Sequence, residues 1–166
     1  MINILTEIFS SKKKLSSKEI SFLEIAKRTR VLEIFKAISN YDQQSEIRYV
    51  GGCVRKILNK EKFDDIDLAT NLKPDEVKEC LKKNNIDFFE IGIDHGTITA
   101  QIDEKNFEIT SLRKDISTDG RRAVVEFTNE WTKDALRRDF TINSIYADKE
   151  GNLFDPNDGV KDLENG

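Results

Sequence analysis

The sequence predicts an α+β fold with a mixed, largely antiparallel sheet flanked by helices. Helical and strand periodicities mix along the chain without a regular βαβ alternation. Hairpin signals gather in the second half, above all Asp103-Glu104-Lys105-Asn106 between two alternating segments. Apolar residues make up 37% of the 166 positions and charged residues 35%, enough for one modest core and without low-complexity bias.

Ser10 to Lys18 is polar, and Lys12-Lys13-Lys14 reads as a solvated basic run. Ser17 before Glu19 and Ile20 marks a helix start. Leu23, Ala26, Val31, Leu32, Ile34, Phe35 and Ile38 then recur at helical spacing, which predicts one amphipathic helix over 17–40. Residues 1–46 form an N-terminal segment and helix, and 47–158 the main domain. Ile47–Val50 is a short strand running into Gly51-Gly52, and residues 53–58 make one or two helical turns. Asn59 to Asp64 is a polar turn leading into a strand over 63–70. Pro74-Asp75-Glu76 opens a helix to Asn84, with proline early and acids in the first turn, and Val77, Cys80 and Leu81 face inward. Strands follow at 87–91, 96–102 and 105–113, then a basic loop at 114–122 and a strand at 123–127. Trp131 to Ala147 reads as helix, burying Ala135, Leu136, Phe140, Ile142, Ile145 and Tyr146. A strand at 152–154 and a helix from Gly159 complete the order.

No apolar run approaches the roughly 18 residues of a membrane span. Residues 1–7 carry neither a basic leader nor a long apolar stretch, so no secretory or transit signal is expected. Cys53 and Cys80 form no Cys-x-x-Cys pair, which argues against a disulfide framework or a zinc site and for the cytoplasm. The net charge of −4 does not suit a broad nucleic-acid surface. Residues 1–48 nevertheless hold 9 Lys/Arg against 6 Asp/Glu, so polyanion binding must be local.

Three clusters carry chemistry. In Asp65-Ile66-Asp67, strand alternation puts both carboxylates on one face. At about 5–7 Å their repulsion is about 2–3 kcal/mol at an effective dielectric of about 20. Such oxygen-only ligands suit Mg²⁺, which takes one or two carboxylates beside phosphate oxygens and water; the alternative is a polar edge strand with solvated acids. Gly51-Gly52 at a strand-to-helix junction lets the backbone approach a phosphate, and Arg55 adds a fork to it. The pattern is neither a Walker A loop nor a dinucleotide fingerprint, and a plain Gly-Gly turn with a surface arginine is the alternative. In Arg137-Arg138-Asp139-Phe140-Thr141-Ile142-Asn143, a helix would set Asp139 and Asn143 on one face to read ribose hydroxyls, with Arg138 beside a triphosphate. The alternative there is a local Asp–Asn pair with two solvated arginines.

In this order the motifs resemble the head domain of class II CCA-adding enzymes and bacterial poly(A) polymerases. They are Gly51-Gly52-Cys53-Val54-Arg55, Asp65 to Thr70, Arg137 to Asn143, and Asp155-Pro156 with Gly159 and Asp162-Leu163. His95 to Ala100 followed by Phe107 to Arg113 is similar to the mitochondrial and related bacterial tRNA CCA-adding enzymes. The resemblance spans about residues 47–166 and implies a nucleotidyltransferase (polymerase-β-like) head. It implies that Asp65 and Asp67 bind two Mg²⁺ ions, and that Gly52, Arg55 and Arg138 hold the incoming nucleotide, with Gly51 shaping the loop. Asp139 and Asn143 would face the ribose, Glu108 is a candidate third carboxylate or a partner for Arg113, and residues 114–125 would form a flexible loop. The implied activity is template-independent addition of CCA to the tRNA 3′ end from CTP and ATP by two-metal catalysis. A poly(A) polymerase, a partial CC- or A-adding enzyme, or a catalytically silent tRNA- or protein-binding head are the alternatives. Residues 159–166 would begin a neck whose continuation selects the base. Lys56 departs from the family, which has Asp after the motif arginine, so Arg55 needs another partner. His95 reads as a hairpin-start residue, Trp131 and Phe127 as core or domain-contact residues, and Cys53 as a small packing residue rather than a reactive thiol.

Overall fold

A computed structural model of the chain describes residues 17–116 and 124–166. The Lys12–Lys14 run and the greater part of the 114–122 loop lie outside those residues. The main sheet has seven strands in the order β3-β4-β5-β2-β1-β8-β9: β1 is Ile47–Val50, β2 Ile66–Thr70, β3 Asp87–Gly92, β4 Thr97–Ile102, β5 Lys105–Ser111, β8 Tyr146–Ala147 and β9 Leu153–Phe154. Every neighbouring pair is antiparallel except β2 with β5, which is parallel. A separate two-stranded ribbon joins β6 (Arg113–Ile116) to β7 (Val124–Phe127). The β4–β5 connection is a two-residue turn in which Asp103 and Glu104 take left-handed φ of 49° and 63°, the backbone that a tight hairpin demands.

Alternation along β2, β4 and β5 sends Ile66, Leu68, Ile98, Ala100, Phe107 and Ile109 to one face. There they pack with α1 (Ser17–Thr29), α2 (Val31–Ser39), α3 (Gly52–Leu58) and α4 (Pro74–Lys83) through Phe22, Ile34, Val54 and Val77, all buried. The opposite face is covered in part by α5 (Trp131–Leu136), whose Trp131 and Ala135 bury Val50, Ala69, Leu112 and Tyr146. The row through Asp67 and Glu108 belongs to that second face.

Several elements differ from the sequence expectation, and residues 114–116, expected in a loop, belong to strand β6. The helix over 17–40 is two helices, because Arg30 takes a left-handed φ of 56°. Its guanidinium holds Glu33 at the start of α2 and Asp103 in the β4–β5 turn, which fixes the bend. The strand over 105–113 is interrupted at Leu112, which is buried under α5 and donates its N–H to the Thr70 carbonyl at 2.8 Å. The helix over 131–147 ends after Leu136. The Ala135 carbonyl, which a continuing helix would give to residue 139, instead accepts the Arg138 N–H at 3.2 Å and the Asn157 side-chain amide at 3.0 Å. The chain then makes one 3-10 turn at Thr141–Asn143 and enters β8. Leu136 and Phe140, expected in the core, are therefore 74% and 63% exposed.

That 3-10 turn is locked from the other side by α6 (Gly159–Asn165). A Cβ on Gly159 would lie 2.2 Å from the Thr141 carbonyl oxygen, so only glycine allows the two backbones to meet. Asp155 caps α6 by accepting the N–H groups of Gly159 and Val160, each at 2.8 Å.

Candidate active site

β2 begins at Ile66, so Asp65 stands just before the strand and Asp67 within it. Parallel pairing places Asp67 opposite Glu108 of β5. Asp65 and Glu108 are exposed, whereas Asp67 is half-buried. Burial, then the negative charges of Glu108 and Asp65, push the Asp67 carboxyl above the usual carboxylate range, while Arg138 and Lys56 pull it down. Glu108 makes no ion pair with Arg113 among the described residues; Arg113 spends Nη1 on the His95 carbonyl and its backbone N–H on Asp134. Among the described residues no three His, Cys, Asp or Glu side chains form a ready-made metal cage.

The glycine turn meets this row. Gly51 has φ 72° and ψ −135°, a backbone that essentially only glycine adopts. Its Cβ position lies 4.0 Å from Asp67 Oδ2 and from the Asn143 carbonyl oxygen, while around that of Gly52 there is nothing within 4 Å. Arg55, one turn into α3, donates from Nη1 to Asn143 Oδ1 at 3.0 Å. This answers the Lys56 departure: an asparagine from the 3-10 turn orients the motif arginine. Lys56 itself adds positive charge near Asp67. Beside the pair, Cys53 is buried, its thiol 3.3 Å from the Val50 carbonyl, and burial pushes it up to about 11.

Asp139 and Asn143 do not share a helical face, because the helix stops before them. Asn143 is committed to Arg55, and Asp139 is exposed with no hydrogen-bond or ion-pair partner among the described residues. Arg138 is 18% exposed and held by Asp134, which the sequence reading had passed over. Asp134 is fully buried and also binds Arg137 Nε at 2.9 Å and the Tyr146 hydroxyl at 2.7 Å. Its position three and four residues before the two arginines was the available signal. His95 lies exposed in a 3-10 turn, Trp131 is buried in the core edge-on to Tyr146, and Phe127 is half-buried against Gly96. A cleft of about 770 Å³ beside Asp65 has a mixed-charge lining, Arg28, Lys62 and Lys105 facing Glu61, Asp64 and Asp65 itself.

An open carboxylate row on a mixed sheet is thus met by a glycine turn and flanking arginines. The family described as Poly A polymerase head domain matches residues 47–166, and the chain belongs to that family. The mitochondrial CCA tRNA nucleotidyltransferase 1 of Homo sapiens is 45% identical over 153 residues, covering 92% of this chain and 34% of that protein. The CCA-adding enzyme of Lactobacillus johnsonii is 38% identical over 138 residues, 82% of this chain and 33% of that protein. A crystal structure of the Bacillus stearothermophilus CCA-adding enzyme in complex with CTP aligns with a TM-score of 0.66 at 29% identity, covering 81% of this chain and 31% of that one. The chain thus spans about a third of the length of the relatives it matches.

Proposed function

We propose that the chain is the catalytic head of an enzyme that adds CCA to the 3′ end of tRNA from CTP and ATP without a template. The carrying observation is the in-register Asp67–Glu108 pair with Asp65 beside it, in a chain whose relatives include CCA tRNA nucleotidyltransferases. Asp65 and Asp67 are the catalytic and metal-binding pair in this reading, with Glu108 as third carboxylate. Gly51 shapes the turn, Gly52 leaves room for phosphate oxygens, and Arg55 and Arg138 bind them. Asn143 serves by orienting Arg55, and the free Asp139 is the candidate for the ribose hydroxyls.

The donor set fits a divalent cation, Mg²⁺ by its oxygen-only chemistry. Burial, and after it the repulsion of Glu108 and Asp65, raises the Asp67 pKa, and a cation there relieves the repulsion. Bound metal would supply acidification of the attacking 3′-hydroxyl and charge neutralisation of the triphosphate. The chain's own contribution is positional. The glycine turn and the arginines fix the triphosphate against the sheet, so that the hydroxyl meets the α-phosphate in line and leaving charge falls on guanidinium groups.

The test uses the full-length protein, a tRNA lacking CCA and each labelled nucleotide. Addition of C, C and A in sequence is expected. A long A tail, addition of C alone or addition of A alone would replace the reading by a poly(A) polymerase or a partial enzyme. A silent head would show no metal-dependent binding when Mg–ATP is titrated calorimetrically. A localisation in the cytoplasm belongs to the same proposal and rests on cysteine usage.

A further inference from the structure

Asp134 is the most heavily bonded buried charge among the described residues. Oδ1 accepts from the Arg113 backbone N–H at 3.1 Å and Arg137 Nε at 2.9 Å. Oδ2 accepts from Arg138 Nε at 3.2 Å, Arg138 Nη2 at 3.1 Å and the Tyr146 hydroxyl at 2.7 Å. An isolated anion in this place would be strongly disfavoured, so its pairing is obligatory. Burial alone would push its carboxyl up; Arg138 and Arg137, with the Tyr146 and Arg113 bonds, outweigh that and hold it below the usual range.

The arginines gain what they lack locally. Both lie beyond the end of α5, where no helix fixes their direction. A free arginine side chain loses rotamer entropy when it is held. Asp134 takes Nε and Nη2 of Arg138 and, among the described residues, not Nη1. The Tyr146 ring lies under the same guanidinium, 5.6 Å from its carbon. The charge count is also uneven. Arg137 and Arg138 share one anion, while the Arg113 guanidinium turns to the His95 carbonyl and leaves its buried Nε without a partner. Of these arginines, Arg138 lies near enough to Asp67 to act on its carboxylate.

We propose that Asp134 is a positioning residue for nucleotide binding: its buried carboxylate holds Arg138 in the one arrangement that presents a guanidinium to the triphosphate beside Asp67. The inference rests on the nucleotide site proposed above. Asp134 touches neither nucleotide nor metal; it acts through Arg138.

The experiment is a double-mutant cycle in the full-length enzyme with steady-state CTP and ATP incorporation, melting being recorded for every variant. Asp134→Asn should raise the nucleotide KM about tenfold while kcat changes less than about threefold. In an Arg138→Ala background the same substitution should change KM less than about twofold, because the group it acts through is gone. A full tenfold effect in that background, or an unchanged KM for Asp134→Asn in the wild-type background, overturns the inference. If Asp134→Asn does not fold, Tyr146→Phe replaces it, removing one bond to Oδ2. Its KM increase, about two- to threefold, must vanish in the Arg138→Ala background, and persistence there overturns the inference equally. A wild-type enzyme that incorporates no nucleotide refutes the proposed function itself. An active wild type, an impaired Arg138→Ala and an unimpaired Asp134→Asn refute only the role of Asp134.

Discussion

Replacing Asp67 by asparagine should make the chain more stable and the enzyme inactive. Asp67 and Glu108 face each other on neighbouring strands, which run about 4.8 Å apart. At about 5–7 Å between carboxylates, an effective dielectric of about 20 gives about 2–3 kcal/mol of repulsion. Glu108 and Asp65 are exposed and Asp67 only half-buried, so solvent screening leaves about 0.5–1 kcal/mol. Asparagine keeps the shape and removes the charge. The Asp67→Asn chain should therefore melt about 1–4 °C above wild type at pH 7 in the presence of a chelator. The pH dependence has a fixed sign. Folded Asp67 holds its proton more tightly than the unfolded chain does, because burial, Glu108 and Asp65 raise its pKa. The penalty is fully present above the raised value and fades as pH falls towards the ordinary aspartate value. The stability gap between variant and wild type should narrow over that window. Added Mg²⁺ should raise the melting temperature of wild type more than that of the variant. A variant melting at or below wild type at pH 7, or a gap that widens on acidification, would refute the repulsion argument. Incorporation by the full-length variant should fall about 10³-fold or more.

Three further outcomes are expected. Gly51→Ala should lose about 1–3 kcal/mol in urea unfolding from its φ of 72° alone, since the new Cβ finds no atom closer than 4.0 Å. Asn143→Ala should weaken Mg–ATP binding about fivefold by releasing Arg55, while unfolding shifts by less than about 1 kcal/mol, as for loss of one partly exposed hydrogen bond. Cys53 should resist iodoacetamide at pH 8 in the folded chain and react on denaturation, because burial pushes its thiol up to about 11; mass spectrometry of the alkylated peptide reads the difference.

What the sequence made legible were features whose physics is local. Alternation in Ile66–Thr70 and Thr97–Ile102, the proline and acids opening α4, and the turn at Asp103-Glu104 each encode their structure within a few residues. The carboxylate row was half legible: Asp65-Ile66-Asp67 is adjacent in sequence, but Glu108 joins it only through the β2–β5 pairing across forty residues. The Arg138 to Asn143 stretch failed for the converse reason. Its periodicity suits a helix, and nothing nearby forbids one. The helix ends because Asn157 takes the Ala135 carbonyl and Gly159 admits the Thr141 backbone, two contacts made from downstream. The failure bears on function. A continuous helix would have paired Asp139 with Asn143 and left Arg55 without a partner. The break turns Asn143 towards Arg55, while Arg137 and Arg138 keep the reach to Asp134 that their spacing of three and four residues gives. Local propensity is thus overridden where Arg55 is held beside Arg138, the two arginines proposed to bind phosphate, as expected of a site whose demands differ from those of the fold around it. The residues that aim them, Asn143 and Asp134, are ordinary in sequence and acquire their roles from partners that only the folded chain supplies.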